Sequence, residues 1–167
     1  MTERIIFVDE NDVPIGIGTR EEAWAKGIYV RIVRAIISDE NGRILSQLRS
    51  KEKKSYPGRW TDSASGHVDQ GNSYDTAIKR ELSEELGIDT NLSFVGKFAS
   101  KDIIDGKTIL EFNAIYEGNI HSSTTLELQE SEVSDIKWYK LTELKRLMID
   151  DPNSFTLGFR ELIQRYY

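Results

Sequence analysis

The stretch Gly66 to Ile88 reads GHVDQGNSYDTAIKRELSEELGI. Within it Ile78, Leu82 and Leu86 recur every fourth residue, the spacing that lines one stripe of an α-helix. The helix is predicted to begin near Ser73 and to stop at Gly87, because glycine enters the left-handed conformation that ends helices without a Cβ penalty. Glu81, Glu84 and Glu85 stand at i, i+3 and i+4. At about 100° per residue they share an arc of roughly 100° beside the apolar stripe.

Local stability does not select this arrangement. Like charges at these spacings cost on the order of 0.2–0.5 kcal/mol each, and carboxylates in a last turn oppose the helix dipole by about 0.3–1 kcal/mol apiece. For an isolated Glu-Glu pair a solvated acidic face explains such residues. Three acids on one arc suit a divalent cation better. Mg²⁺ in particular takes a few carboxylates, retained waters and substrate phosphates rather than a closed protein cage. The offset of about 40° between i and i+4 superposes Glu81 and Glu85 best, so these are the first candidates for a metal pair, with Glu84 a third ligand or a base.

The same segment resembles the signature of the Nudix hydrolase superfamily: Gly, five residues, Glu, seven residues, Arg-Glu, an aliphatic, any residue, Glu-Glu, any residue, Gly, an aliphatic. The matches are Gly66, Arg80, Glu81, Leu82, Glu84, Glu85, Gly87 and Ile88, and the departure is Asn72. Upstream, Tyr56-Pro57-Gly58-Arg59-Trp60 and Arg20-Glu21-Glu22-Ala23 resemble the branch that contains isopentenyl-diphosphate isomerase and its hydrolase relatives. The resemblance implies an α/β fold, an α/β/α sandwich around a mixed sheet, in which the signature forms a loop-helix-loop holding Mg²⁺ or Mn²⁺ against a diphosphate. It also implies hydrolysis of a nucleoside diphosphate linked to another group. In the family the glutamate at the position of Asn72 generally pairs with the arginine matched by Arg80. Asn72 keeps an acceptor without the charge, or serves as a helix N-cap.

The branch resemblance bears on other residues. Its catalytic cysteine aligns with Ser65, one of its metal histidines with Val30, another with His67, and a metal glutamate with Glu111. His67 reads otherwise as a lone turn histidine. Strand alternation puts Glu111 with Ile109, Asn113 and Ile115 on a solvent side, opposite Leu110, Phe112, Ala114 and Tyr116. Glu127, Glu130 and Glu132 lie where many family members carry a further catalytic carboxylate, and otherwise read as an acidic loop. Arg49, Lys51, Lys53, Lys54 and Arg59 form a basic island, with Arg59 and Lys54 the foremost candidates for a substrate diphosphate. Tyr56 and Trp60 offer stacking or strand-edge packing.

Working outward, Ile5–Val8, 28–37, 43–48, 92–100, 108–116 and Val133–Tyr139 read as strands. Asn41-Gly42 marks a hairpin between the second and third of these. Helices are expected over Arg20–Lys26, 141–148 and 155–166. In the last, Phe159, Leu162, Ile163 and Tyr166 form a stripe for core packing or for a dimer contact. No repeat or linker divides the chain, so one domain over 1–167 is expected.

Composition limits the function. The 167 residues carry 22 basic and 28 acidic side chains, and a net charge of −6 argues against bulk nucleic-acid binding. With no cysteine there is no disulfide, thiolate metal site or cysteine nucleophile, which fits a reducing cytoplasm. No apolar run is long enough for a membrane span. The expectation is therefore a cytoplasmic, Mg²⁺- or Mn²⁺-dependent Nudix pyrophosphohydrolase acting on a small diphosphate compound, a nucleoside diphosphate derivative. The alternatives are a Nudix scaffold that binds a nucleotide or a partner without turnover, and an isopentenyl-diphosphate isomerase.

Overall fold

The computed structural model describes residues 2–167. Its elements are β1 (Ile5–Val8), β2 (Pro14–Gly18), α1 (Arg20–Lys26), β3 (Tyr29–Ser38), β4 (Ile44–Arg49), β5 (Trp60–Thr61), β6 (Ala64–His67), α2 (Tyr74–Leu86), β7 (Leu92–Ile104), β8 (Lys107–Asn119), β9 (Val133–Tyr139), α3 (Leu141–Asp150) and α4 (Leu157–Tyr166). A 3₁₀ turn, Pro152–Ser154, joins the last two helices.

β3 is the hub of a mixed sheet. It pairs antiparallel with β1, β6 and β4, and parallel with β8 along its whole length, from Tyr29↔Leu110 to Ser38↔Asn119. A parallel pair needs a long crossover, and here it carries α2 across one face. Alternate β3 residues therefore enter different cores. Val33, Ala35 and Ile37 pack with Ile78, Leu82 and Leu86 of α2, whereas Ile36 joins Leu144 of α3 and Phe159, Leu162 and Ile163 of α4. The result is an α/β/α sandwich around a mixed sheet.

α2 has the predicted ends. Ser73 is its N-cap, accepting from the Thr76 amide, and Gly87 closes it at φ 66°. The N-cap role open to Asn72 thus belongs to Ser73, and the Asn72 amide instead donates to the Asp69 carbonyl. The stripe on α4 is spent on the core, with Tyr166 seated against Gly96, so it does not serve as a dimer contact. α4 also starts later than expected, because Thr156 caps it and Phe155 is extended.

Two other readings change. At Asn41-Gly42 only Gly42 has positive φ, so the turn is the bulged kind closed by a left-handed glycine. β3 and β4 then pair only at Ser38↔Ile44 before diverging, β4 pairing with β5 and β9 instead. The long β7–β8 hairpin turns at Asp105-Gly106, both at positive φ, a two-residue turn matched to strand twist. Finally, the face of β8 bearing Glu111 is not a solvent side: Ile109, Asn113 and Ile115 are all buried there beneath the second helical layer.

Candidate functional site

Glu81 and Glu85 leave α2 on its sheet-facing side and are almost wholly buried, at 7% and 5% exposure. Glu81 lies against Gly66 of β6, so closely that a Cβ on Gly66 would stand 2.1 Å from Glu81 Oε1. Glu85 Oε2 accepts from Gln47 Nε2 at 2.6 Å and from the Ser65 amide at 3.3 Å. Burial pushes both carboxyls up from the usual 4.5 to about 8; the Glu85 charge adds to the effect on Glu81, while the Gln47 hydrogen bond opposes it on Glu85. Two buried acids one turn apart, each resisting ionisation, are a costly pair in the absence of a cation.

Glu84 faces outward and is about half exposed, with Oε2 3.1 Å from Arg80 Nη1. Arg80 is otherwise engaged by Asp69 Oδ2 at 3.2 Å, Glu81 Oε1 at 2.9 Å and the His67 carbonyl at 3.1 Å. Its partner in the loop is therefore Asp69 rather than a residue at position 72. Among the described residues no three acidic or histidine side chains converge as a ready-made metal cage. Glu81 and Glu85 supply two hard oxygen donors, and Glu84 is held aside by Arg80. That donor set fits a Mg²⁺- or Mn²⁺-type ion completed by water and substrate, not a closed structural site.

Beside the carboxylates lies a cavity of about 110 Å³. Glu81 and Glu85 do not line it themselves; they reach it through Gly66 and Ser65, which do. Its cationic lining is Arg20, Arg34, Arg49 and Lys53. Sequence reading singled out only the last two of these, within the basic island. Arg34 sits in the middle of β3, where a strand residue reads as core. It is held by Asp62 Oδ2 at 2.7 Å, Asn113 Oδ1 at 2.7 Å and, more loosely, Glu111 Oε2 at 3.6 Å. Gly158, in the first turn of α4, leaves room for it: a Cβ there would fall 2.2 Å from Arg34 Nη2. Lys53 contacts Glu132, which brings one of the three loop acids to the site.

Glu111 lines the same cavity, its carboxyl raised by burial against the pull of Arg34. His67 ends β6 and lines the cavity too, rather than lying in a turn; burial, reinforced by the charges of Arg20, Lys53, Arg49 and Arg34, pushes it down to about 3, so it is neutral. Its Nε2, the indole nitrogen of Trp24 and Nε of Arg20 are buried without a hydrogen-bond partner, and all three residues line this cavity. Lys54 and Arg59 lie elsewhere, in a neighbouring cleft; Lys54 is paired with Glu21 at 2.8 Å. Trp60 packs edge-on against Tyr139 in the core.

Comparison with known proteins bears on the family and the fold. The NUDIX domain family profile matches residues 28–157. The chain belongs to the Nudix family. An isopentenyl-diphosphate Delta-isomerase 2 of Photorhabdus laumondii is 32% identical over 98% of this chain and 92% of its own. An isopentenyl-diphosphate Delta-isomerase of Burkholderia multivorans is 30% identical over 99% and 93%. The crystal structure of the DR0079 protein of Deinococcus radiodurans has the same fold, with a TM-score of 0.82 at 24% identity and 99% of each chain covered. Among the described residues no helix of this Nudix protein is long and apolar enough to cross a membrane.

Proposed function

We propose that this Nudix protein is a divalent-cation-dependent pyrophosphohydrolase of a small diphosphate compound, a nucleoside diphosphate derivative in the first instance. The observation that carries the reading is the buried Glu81–Glu85 pair set directly behind a cation-lined cavity. The acids would hold Mg²⁺ or Mn²⁺, and Arg20, Arg34, Arg49 and Lys53 would neutralise a diphosphate in the cavity. When bound, the ion polarises phosphoryl oxygens and lowers the pKa of a water. Glu84, half exposed and paired with Arg80, would on leaving that partner take the proton from an attacking water as the phosphoric anhydride P–O bond breaks.

The relatives named isopentenyl-diphosphate isomerase supply the second reading. Isomerisation requires proton addition and removal at carbon by an acid and a base astride the substrate. Here Ser65 stands where that branch aligns its cysteine, and a hydroxyl is a much weaker acid than a thiol. Val30 pairs with Glu111 across β3 and β8 and offers no ligand where the branch aligns a histidine. These residues favour hydrolysis.

Phosphate or nucleotide release from a panel of nucleoside diphosphate derivatives, with Mg²⁺ and with Mn²⁺, tests the reading. Turnover dependent on the cation and lost in Glu81→Gln supports it. Deuterium uptake from heavy water into isopentenyl diphosphate at an enzymatic rate would replace it with the isomerase. Tight nucleotide binding without turnover would replace it with a binding scaffold.

A further inference from the structure

Beside the diphosphate cavity, across Tyr56, lies a second, wider cleft of about 510 Å³. Tyr56, Asp102, Ile104 and Leu157 line both spaces and form their shared wall. The inner space is of a size for phosphates alone, and the outer cleft beside it has room for the remainder of a substrate anchored there.

The wall is held in an unfavourable backbone conformation. Tyr56 has φ 51°, the left-handed region that bulky side chains rarely enter, and it precedes Pro57, which restricts it further. Such a conformation persists only where the surroundings impose it, and it marks functional positions more often than inert loops. Its effect is to present the Tyr56 ring at the junction with the Arg59 guanidinium over it, 5.1 Å from ring centroid to Cζ.

Two cations of the outer cleft make no ion pair, although Asp102 and Asp105 line the same cleft. Arg59 has only the tyrosine face. Arg160, from α4, has a buried Nε with no hydrogen-bond partner. Neither Arg59 nor Arg160 is ion-paired, whereas Lys54 of the same cleft is held by Glu21. Planar guanidinium groups match the oxygens of a phosphate with directed hydrogen bonds.

We infer that Arg59 and Arg160 form a second anion subsite, and that the preferred substrates are organic diphosphates carrying a further phosphate monoester remote from the anhydride. The inference rests on the reading that a diphosphate occupies the inner cavity. Tyr56 then separates the two anion sites and packs on the organic part between them.

The test is equilibrium binding, by calorimetry, of ADP-ribose and of its 2′-phosphate, together with their rates of hydrolysis with Mg²⁺. The phosphorylated compound is expected to bind about tenfold more tightly or better, with a steeper loss of affinity as salt rises. Arg59→Gln and Arg160→Gln should each reduce that preference severalfold, with Arg160→Gln leaving the affinity for ADP-ribose itself unchanged. The two variants are independent, since only Arg59 touches the strained loop. Equal affinity for the two compounds, or a preference that survives both substitutions, overturns the subsite while the diphosphate reading stands. Failure of both compounds to bind overturns the subsite, and the panel of nucleoside diphosphate derivatives then decides the diphosphate reading.

Discussion

The Glu81 carboxylate rests against the Cα of Gly66, where even a methyl group would stand 2.1 Å from Oε1. Glycine is needed here for close approach and not for an unusual backbone angle, since Gly66 lies in regular strand pairing with Val33. Gly66→Ala should therefore displace Glu81. We expect a stability loss of about 1–3 kcal/mol from overpacking, and a fall in turnover of about a hundredfold from a shift of about 1 Å in the metal-holding group. Thermal melts and steady-state kinetics check this, and unaltered kinetics would dissociate Glu81 from the chemistry.

Stability without metal should fall as pH rises from 6.5 to 8. Glu81 and Glu85 are raised from 4.5 to about 8, so between those values the folded protein binds more protons than the unfolded one, and stability is lost as pH climbs through the folded value. His67, depressed from 6.5 to about 3, acts oppositely but only below pH 6.5, where the unfolded residue takes up a proton that the folded one refuses. Melts in chelator at pH 6.5 and 8 should differ by on the order of 3 °C or more, and Mg²⁺ should close the gap. A flat chelator profile would contradict the carboxyl assignments.

Glu85→Gln should leave the fold intact and remove part of that pH dependence. The amide retains an oxygen for the Ser65 amide and relieves a buried charge. Turnover should drop by at least about a hundredfold, reflecting several kcal/mol of lost transition-state stabilisation at a metal-assisted step. A rate within twofold of the parent protein would exclude Glu85 as a ligand.

The lysines at 53 and 54 should behave differently. Lys53 lines the inner cavity, whereas Lys54 is tied to Glu21 in the outer cleft. Lys53→Gln is expected to raise KM for diphosphates and to weaken the dependence of KM on salt, with kcat less affected. Lys54→Gln should change neither. Equal effects from both would mean that the two clefts are not electrostatically distinct.

Asn72→Glu should alter stability by less than about 0.5 kcal/mol, because Arg80 already has Asp69, Glu81, Glu84 and the His67 carbonyl as partners. The more damaging change is Asp69→Asn, expected to cost about 0.5–1 kcal/mol for a partly exposed pair and to slow turnover by loosening the arginine that braces Glu81. Denaturant titration and kinetics of the two variants decide which loop residue serves Arg80.

The helix that carries the carboxylates was legible in the sequence because its determinants are local: a four-residue apolar repeat, a capping serine and a left-handed glycine lie within one segment. The Nudix signature was legible for the same reason, as was the helical stripe of α4. The short strands β5 and β6 were not, since two to four residues carry too little periodicity and exist only through pairing with β4 and β3. Asp105-Gly106 does carry a local signal for the β7–β8 turn, as Thr19 and Glu22 do for the cap of α1. Glu111 looked solvent-facing because alternation cannot tell that a second helical layer covers that side of the sheet. Arg20, Arg34 and Arg49 are dispersed over α1, β3 and β4, and only tertiary packing brings them around one cavity. The same packing excludes water from Glu81, Glu85 and His67 and so shifts their proton affinities. A residue's chemical type is written in its own segment, but its solvation and its neighbouring charges are set by segments far away in the chain.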